Sequence, residues 1–409
     1  MNVIYKSDFN EAIFSDLGSE TLVISFSPRK DSAPPEFFGG SFFEKLKLSS
    51  IILRSMKNTW YIDDDFETCA QQIDLILSTK KFTQIVLYGQ SMGAYGCLMY
   101  ANRFSASRVI AAGPIATMDP KIERRWASDF ANIISHSKPA KVSCGTLNPN
   151  IEVVALYDPK SPDFQHLKLI KGQKSLIKVE VPNSGHMVLQ YLRDAGILGD
   201  VITPMIYGDF SVSKINHIIH ATRGGNKRYL VYIIEKIKLR PFLQNIVLRY
   251  ALRRLPGDID LQLVQSSIEA EAGKFEIAAL LIKKVYANNP QYRNSVGMAK
   301  AIANYAAAGG SEAQIKEVVQ RFDSSATRNR EAQLWYARYL RFVGRFNDAF
   351  AAHEFFMKCD SFDAQAHYER GLIYEKIDLP FMARKSYERS LQAEPSFSRA
   401  SQALKKLPF

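Results

Sequence analysis

Gly89-Gln90-Ser91-Met92-Gly93 lies between an apolar run ending at Tyr88 and a helical run from Ala94 to Ala101. A serine hydroxyl becomes a nucleophile at neutral pH only when a base takes its proton. It must also stand clear of the backbone, and a G-x-S-x-G turn from strand to helix lifts it there. Side chains at 89 and 93 would collide with strand and helix, which accounts for the two glycines. The helix N-terminus behind Ser91 adds a dipole that favours a developing oxyanion.

Of seven histidines, His217, His220, His353 and His367 fall in the helical second half, and His136 and His166 lie in or near helices. His186 instead follows the last β-rich run through Pro182-Asn183-Ser184-Gly185, on a loop that opens a helix. It is the candidate base. The acid that orients it and stabilises its cation should follow the preceding run, which ends at Tyr157. Asp158 and Asp163 both qualify; Asp158, at the strand end, is preferred, with Asp163 the alternative.

These residues require an alternating framework. Runs at 21–26, 49–54, 84–88, 108–112, 152–157 and 176–181 read as strands, and a helix capped by Asp64 or Asp65 runs from Phe66 to Ser78. Apolar strands separated by helices imply a mostly parallel sheet covered on both faces. The order Ser91, acid, His186 and the strand–turn–helix elbow resemble α/β-hydrolases over residues 1–208. That resemblance implies a Ser-His-Asp triad and an oxyanion hole built from the Met92 N–H and an N–H after the first strand. Ser27 is the choice for the latter, Phe26 the alternative, because Pro28 has no N–H. Gln90, Phe26, Trp60 and Tyr61 are assigned to the substrate pocket, with Trp60 or Tyr61 able to stack on a sugar ring. The loop holding Phe37, Phe38, Gly39, Gly40, Phe42 and Phe43 is a further candidate lining, although packing at the edge of the core is the favoured reading for these aromatics and for Trp60 and Tyr61.

From about Ser213 the pattern is helical. Gly273-Lys274-Phe275-x-x-Ala278 and Gly344-Arg345-Phe346-x-x-Ala349 repeat one pattern. Gly371-x-x-Tyr374, Ala383, Tyr387 and Pro395 complete the clearest unit, and Ala278, Ala313, Ala349 and Ala383 are nearly evenly spaced. Small residues let antiparallel helices approach, aromatics fill between them and proline ends the second helix. These units resemble tetratricopeptide repeats over about residues 260–397. The expected order is therefore α/β followed by all-α: an α/β-hydrolase-like domain at 1–208, a basic helical connector at 209–256 and a repeat domain at 257–409.

The 409 residues are 46% hydrophobic and 23% charged, with net charge +12. Much of the excess lies between Lys214 and Arg254, where ten basic residues oppose Glu235 alone. Such a connector can contact an anionic surface or serve as a solvated face. Four scattered cysteines form no C-x-x-C pair, and neither a signal peptide nor an apolar span is visible, which reads as cytoplasmic. His217 and His220 lack ligand partners nearby, so no metal is expected. No nucleotide fingerprint is present, so no cofactor is expected, and no specific nucleic-acid partner. The first loop and the Trp60-Tyr61 pair resemble bacterial hydrolase-like proteins associated with surface polysaccharides. The expectation is a serine esterase acting on an acyl ester, an acylated glycan among the candidates, with a protein partner held by the repeats. Acyl transfer by the same triad and a non-catalytic scaffold are the alternatives.

Overall fold

The computed structural model describes residues 2–30, 37–139, 141–172, 176–293, 295–325, 330–357, 363–395 and 397–407; Cys359 lies outside them. Contacts divide the chain into Met1–Tyr232 and Ile233–Phe409.

The first unit is built on eight strands: β1 (Asn2–Lys6), β2 (Asn10–Ser15), β3 (Thr21–Phe26), β4 (Ser49–Ser55), β5 (Gln84–Gln90), β6 (Arg108–Ala112), β7 (Glu152–Tyr157) and β8 (Leu176–Glu180). Their order in the sheet is β1-β2-β4-β3-β5-β6-β7-β8. β2 runs antiparallel to β1 and β4, and all other pairs are parallel. β1 and β2 were not apparent from the sequence, because an edge hairpin of mixed polarity has no continuous apolar run.

Alternate residues of the central strands enter two separate cores, as the period of two demands. Leu22, Ile24, Leu87, Val109, Ala111, Val153 and Ala155 point to one face. There α2 (Asp64–Thr79) and α3 (Met92–Tyr100) cover them with Phe66, Cys69, Ile73, Tyr95 and Cys97. Val23, Val86, Ile110, Val154 and Val179 point to the other face. It is covered by α1 (Gly40–Lys45), α6 (Val188–Asp194), α7 (Leu198–Tyr207) and α8 (Val212–Thr222). Two short helices, α4 (Ala127–His136) and α5 (Asp163–His166), follow β6 and β7. Asp63, rather than Asp64 or Asp65, caps α2, accepting from Phe66 N at 3.0 Å.

The boundary expected at 208 falls too early. Ile215 and Ile219 of α8 are buried in the sheet's core, and the first unit ends inside α9 (Lys227–Lys236). A helical pattern in sequence marks element type, not which core the helix joins.

The second unit is all helical. After α10 (Pro241–Arg254) come α11 (Ile259–Glu271), α12 (Phe275–Asn288), α13 (Val296–Ala307), α14 (Glu312–Ser325), α15 (Arg330–Phe342), α16 (Phe346–Met357), α17 (Ala364–Lys376) and α18 (Pro380–Ala393). α11 packs on α12, α15 on α16 and α17 on α18 as hairpins, while α13 packs on α11 and α15, and α14 on α12. α19 (Ser398–Lys406) closes the row. Gly273 and Gly344 end first helices in the left-handed region, at φ 76° and 79°. Ala278, Ala349 and Ala383 are fully buried between helices. At Gly371 a Cβ would stand 2.2 Å from the Tyr387 ring, so that glycine makes room for the aromatic. Ala313 departs from expectation: it is exposed, and Ile315 takes the buried position. α14 has a non-helical turn at Ile315 (φ −122°, ψ 15°), which breaks the spacing that sequence counting assumed.

Candidate active site

Ser91 stands between β5 and α3 at φ 56° and ψ −119°, a strained conformation for a residue with a side chain. Neighbouring glycines allow it. A Cβ at Gly89 would lie 2.3 Å from the Gly93 carbonyl carbon, and one at Gly93 would lie 2.2 Å from Phe26 O. Ser91 N donates to Ala112 O at 3.0 Å, fixing the turn against the end of β6.

His186 Nε2 lies 2.7 Å from Ser91 Oγ, and His186 Nδ1 lies 2.9 Å from Asp163 Oδ2. With Nδ1–H donating to the carboxylate, Nε2 is left as the acceptor for the serine hydroxyl. Asp163 is the acid that meets His186, which corrects the preference for Asp158. The Asp158 carboxylate accepts from Lys160 N at 3.0 Å and Gly185 N at 2.9 Å. It ties the His186 loop to the end of β7. Ser161 N donates to Asp158 O at 2.9 Å, and this turn carries the chain round to Asp163. Sequence distance from the strand end therefore misleads about distance from the imidazole.

Asp163 is fully buried, yet its carboxyl is held down at about 2. Burial alone raises it, but the hydrogen bond with His186 and the positive charges of His186 and Arg125 outweigh that. Arg125 Nη1 donates to Asp163 Oδ1 at 2.7 Å, and its Nε and Nη2 donate to Glu123 at 3.0 and 2.5 Å. Glu123 Oε2 lies 2.8 Å from His166 Nε2. Ala116 N donates to His166 Nδ1 at 3.1 Å, so the ring carries its proton on Nε2 and gives it to Glu123. Glu123 is likewise held at about 2: burial raises it, but the bonds from His166 and Arg125 prevail.

Sequence reasoning missed Arg125, Glu123 and Gly113. Arg125 reaches Asp163, and Glu123 reaches His166, across about forty residues of chain, and no local pattern announces those contacts. Gly113 (φ 54°) did carry a signal, a glycine-proline step directly after β6. A Cβ there would meet His186 O at 2.6 Å and His186 Nδ1 at 3.2 Å, so only glycine admits the histidine loop.

Met92 opens α3, where helix N–H groups lack intrahelical acceptors, and it lies next to Ser91. Ser27 does not complete an oxyanion hole: its N–H donates to Leu53 O at 2.8 Å, continuing the β3–β4 ladder. Phe26 is inside β3, paired on both sides with Leu53 and Gly89, so its N–H also belongs to the sheet.

The pocket assignments are corrected by burial. Phe26, Trp60 and Tyr61 are fully enclosed. Tyr61 Oη donates to Ser27 O at 2.8 Å, and Trp60 Nε1 donates to Asp129 Oδ2 at 3.0 Å. Gln90 is buried too; its Oε1 accepts from Leu189 N at 2.7 Å, anchoring α6 beside the histidine. Phe38 and Phe43 pack on Tyr88. These residues have the composition of a sugar platform, but their rings face the interior.

The segment after β6 supplies what does face the site. The Trp126 ring stands 6.0 Å from the His186 ring and 5.6 Å from Trp60. The Arg29 guanidinium lies 5.4 Å from the Trp126 ring and grips Asp129 of α4 at 2.6 and 3.1 Å. Trp126 Nε1 is buried with no hydrogen-bond partner among the described residues. Burial raises the thiols of Cys69 and Cys97, which marks them as packing residues rather than competing nucleophiles. No cluster of three His, Cys, Asp or Glu suited to a metal occurs among the described residues.

No known protein family and no curated protein matches the sequence. Several solved structures are similar in part. MamA is 23% identical over 33% of this chain and 78% of its own, with TM-score 0.27. A tetratricopeptide repeat protein from Parabacteroides merdae is 14% identical over 53% and 84%, with TM-score 0.37. The capsule O-acetyltransferase of Neisseria meningitidis serogroup A is 16% identical over 44% and 85%, with TM-score 0.34. Likeness at this level bears on neither activity nor partners.

Proposed function

We propose that the first unit is an α/β-hydrolase-type serine esterase or deacylase. The carrying observation is the unbroken chain from Ser91 Oγ through His186 to Asp163, at 2.7 and 2.9 Å. In this reading Ser91 attacks an acyl carbonyl while His186 Nε2 takes its proton. The Met92 N–H supports the oxyanion, and His186 then protonates the leaving oxygen or nitrogen. Water, deprotonated by the same imidazole, releases the acid and restores the serine. Asp163 stabilises the imidazolium formed in each half. The Trp126 ring stands beside His186, and its Nε1–H, buried and without a partner among the described residues, is the donor we assign to a substrate oxygen.

Acyl transfer to a sugar or lipid hydroxyl is the second reading. Ser91 is only 4% exposed, and a shielded acyl-enzyme favours a bound acceptor over bulk water. The stacked hairpins of the second unit suit a protein partner, and fusion in one chain would raise the local concentration of whatever they hold.

A fluorophosphonate probe tests the reading. The parent should be labelled, and Ser91→Ala and His186→Ala should not. An unlabelled parent would leave the non-catalytic scaffold as the better account. Product analysis on acyl esters, acylated glycans included, with and without a hydroxyl acceptor separates hydrolysis from transfer.

A further inference from the structure

Helix α10 is covered on one side only. Gln244, Leu248 and Ala251 are buried. Phe242, Leu243, Ile246 and Tyr250 are 77, 42, 48 and 49% exposed, and Leu239 just before the helix is 89% exposed. At about 100° per residue the four helical positions fill one arc of about 100°, opposite the buried face. Single exposed apolar side chains are ordinary; a continuous strip of this kind marks an interaction site.

The charge around the strip indicates what covers it. Between Glu235 and Asp258 there is no acidic residue, and six are basic. Lys236, Lys238 and Arg240 precede the helix, while Arg249, Arg253 and Arg254 stand exposed at the strip's C-terminal end. Aromatic and aliphatic side chains bounded by arginines fit the boundary of an anionic bilayer, where the apolar strip enters the acyl region and the arginines reach back to phosphate. A second copy fits badly, since the same face would set six cations against six. No helix among the described residues is long and apolar enough to cross a membrane, so the contact would lie in the surface plane.

We infer that α10 is an interfacial helix that docks the chain on anionic phospholipid. The inference is independent of the esterase reading, because it uses none of the triad residues. The full chain should float with phosphatidylcholine vesicles that contain phosphatidylglycerol and remain behind with phosphatidylcholine alone. Salt should weaken the binding. The double variant Phe242→Ser with Ile246→Ser, and the triple variant Arg249→Gln with Arg253→Gln and Arg254→Gln, should each lose affinity about tenfold or more. All substituted residues are exposed, and circular dichroism checks that the fold persists. Fluorophosphonate labelling of Ser91 should be the same in parent and variants, so a failed docking test and a failed esterase test remain distinct. The idea is overturned if the parent ignores anionic vesicles, or if the Phe242/Ile246 variant binds them as well as the parent. Light scattering that shows a dimer broken by the Phe242/Ile246 variant would overturn it in favour of a second copy.

Discussion

Arg125 Nη1 donates to the Asp163 oxygen that does not touch His186, at 2.7 Å. One carboxylate is thereby divided between two partners, Oδ1 for the guanidinium and Oδ2 for the imidazole. Arg125 holds the orientation of the acid without reaching the serine. It also offsets the negative charge that Asp163 and Glu123 bring into a buried site. Arg125→Ala should lower kcat about 10- to 100-fold through misplacement of the triad, with little change in KM. It should also destabilise the fold by about 3–5 kcal/mol, because two buried carboxylates lose their cation. Arg125→Lys, which keeps the charge but not the fork, should recover the stability better than kcat. A KM effect with unchanged kcat would show that Arg125 binds substrate instead.

Asp163 and Asp158 should respond very differently to the same change. Asp163→Asn leaves one oxygen for two donors; with it given to Arg125, the amide NH2 faces His186 Nδ1 and reverses the tautomer, so turnover should fall about 10³- to 10⁴-fold. Asp158→Asn keeps an oxygen for one of the Lys160 and Gly185 N–H groups, which bond to different carboxylate oxygens, and sets an amide NH2 against the other. It should cost about 1–3 kcal/mol in stability, the worth of one backbone donor left unsatisfied, and at most about tenfold in rate. Equal loss in both variants would show that the loop tie matters as much as the acid.

The acid range tests the buried charges. Asp163 and Glu123 are held at about 2, below the ordinary 3.8 and 4.5. A folded-state value below the unfolded one means that protons bind the unfolded chain first. The stability is present above the unfolded values and is lost as pH falls through that range towards 2. Asp163 should account for about 2 kcal/mol of that loss and Glu123 for about 3, on the order given by linkage. Urea unfolding at stepped pH should show a steeper fall for the parent than for Asp163→Asn, which cannot titrate there. Parallel slopes would refute the assignment.

Two glycines near the histidine make a matched comparison. Gly113 and Gly185 both have positive φ, 54° and 62°. A Cβ on Gly113 would strike the His186 carbonyl oxygen at 2.6 Å, while one on Gly185 meets nothing within 4 Å. Gly185→Ala should cost about 1 kcal/mol of backbone strain in the unfolding free energy. Gly113→Ala should add displacement of the base and reduce labelling of Ser91 by about tenfold or more. Equal labelling in the two variants would contradict the packing argument.

Trp126→Phe keeps an aromatic ring beside His186 and removes the indole N–H together with the five-membered ring. If that donor serves the substrate, kcat/KM should fall by about tenfold or less, the worth of one neutral hydrogen bond. The stability lost should be about 1–3 kcal/mol, from the ring contacts with Trp60 and Arg29, since the N–H has no protein partner among the described residues to lose. Unchanged kinetics would place the substrate elsewhere on the site.

What chain-local chemistry made legible is the alternation of strands and helices, the turn at Ser91 and the place of His186. Each depends on neighbours within a few residues: glycines at 89 and 93, a strand before and a helix after. The repeat period was legible for the same reason, since Ala349 and Ala383 begin similar local units. Tertiary structure decided the rest. It chose Asp163 over Asp158, because the turn at 158–161 carries the chain round so that Asp163, five residues beyond the residue at the strand end, meets the imidazole while Asp158 holds the Gly185 N–H. It joined Arg125, Glu123 and His166 into one charged cluster across forty residues of chain. It also turned Phe26, Trp60 and Tyr61 inward and engaged the Ser27 N–H in the sheet. Whether a side chain faces a core or a cleft depends on which surfaces the fold stacks against it, and residue type carries no record of that.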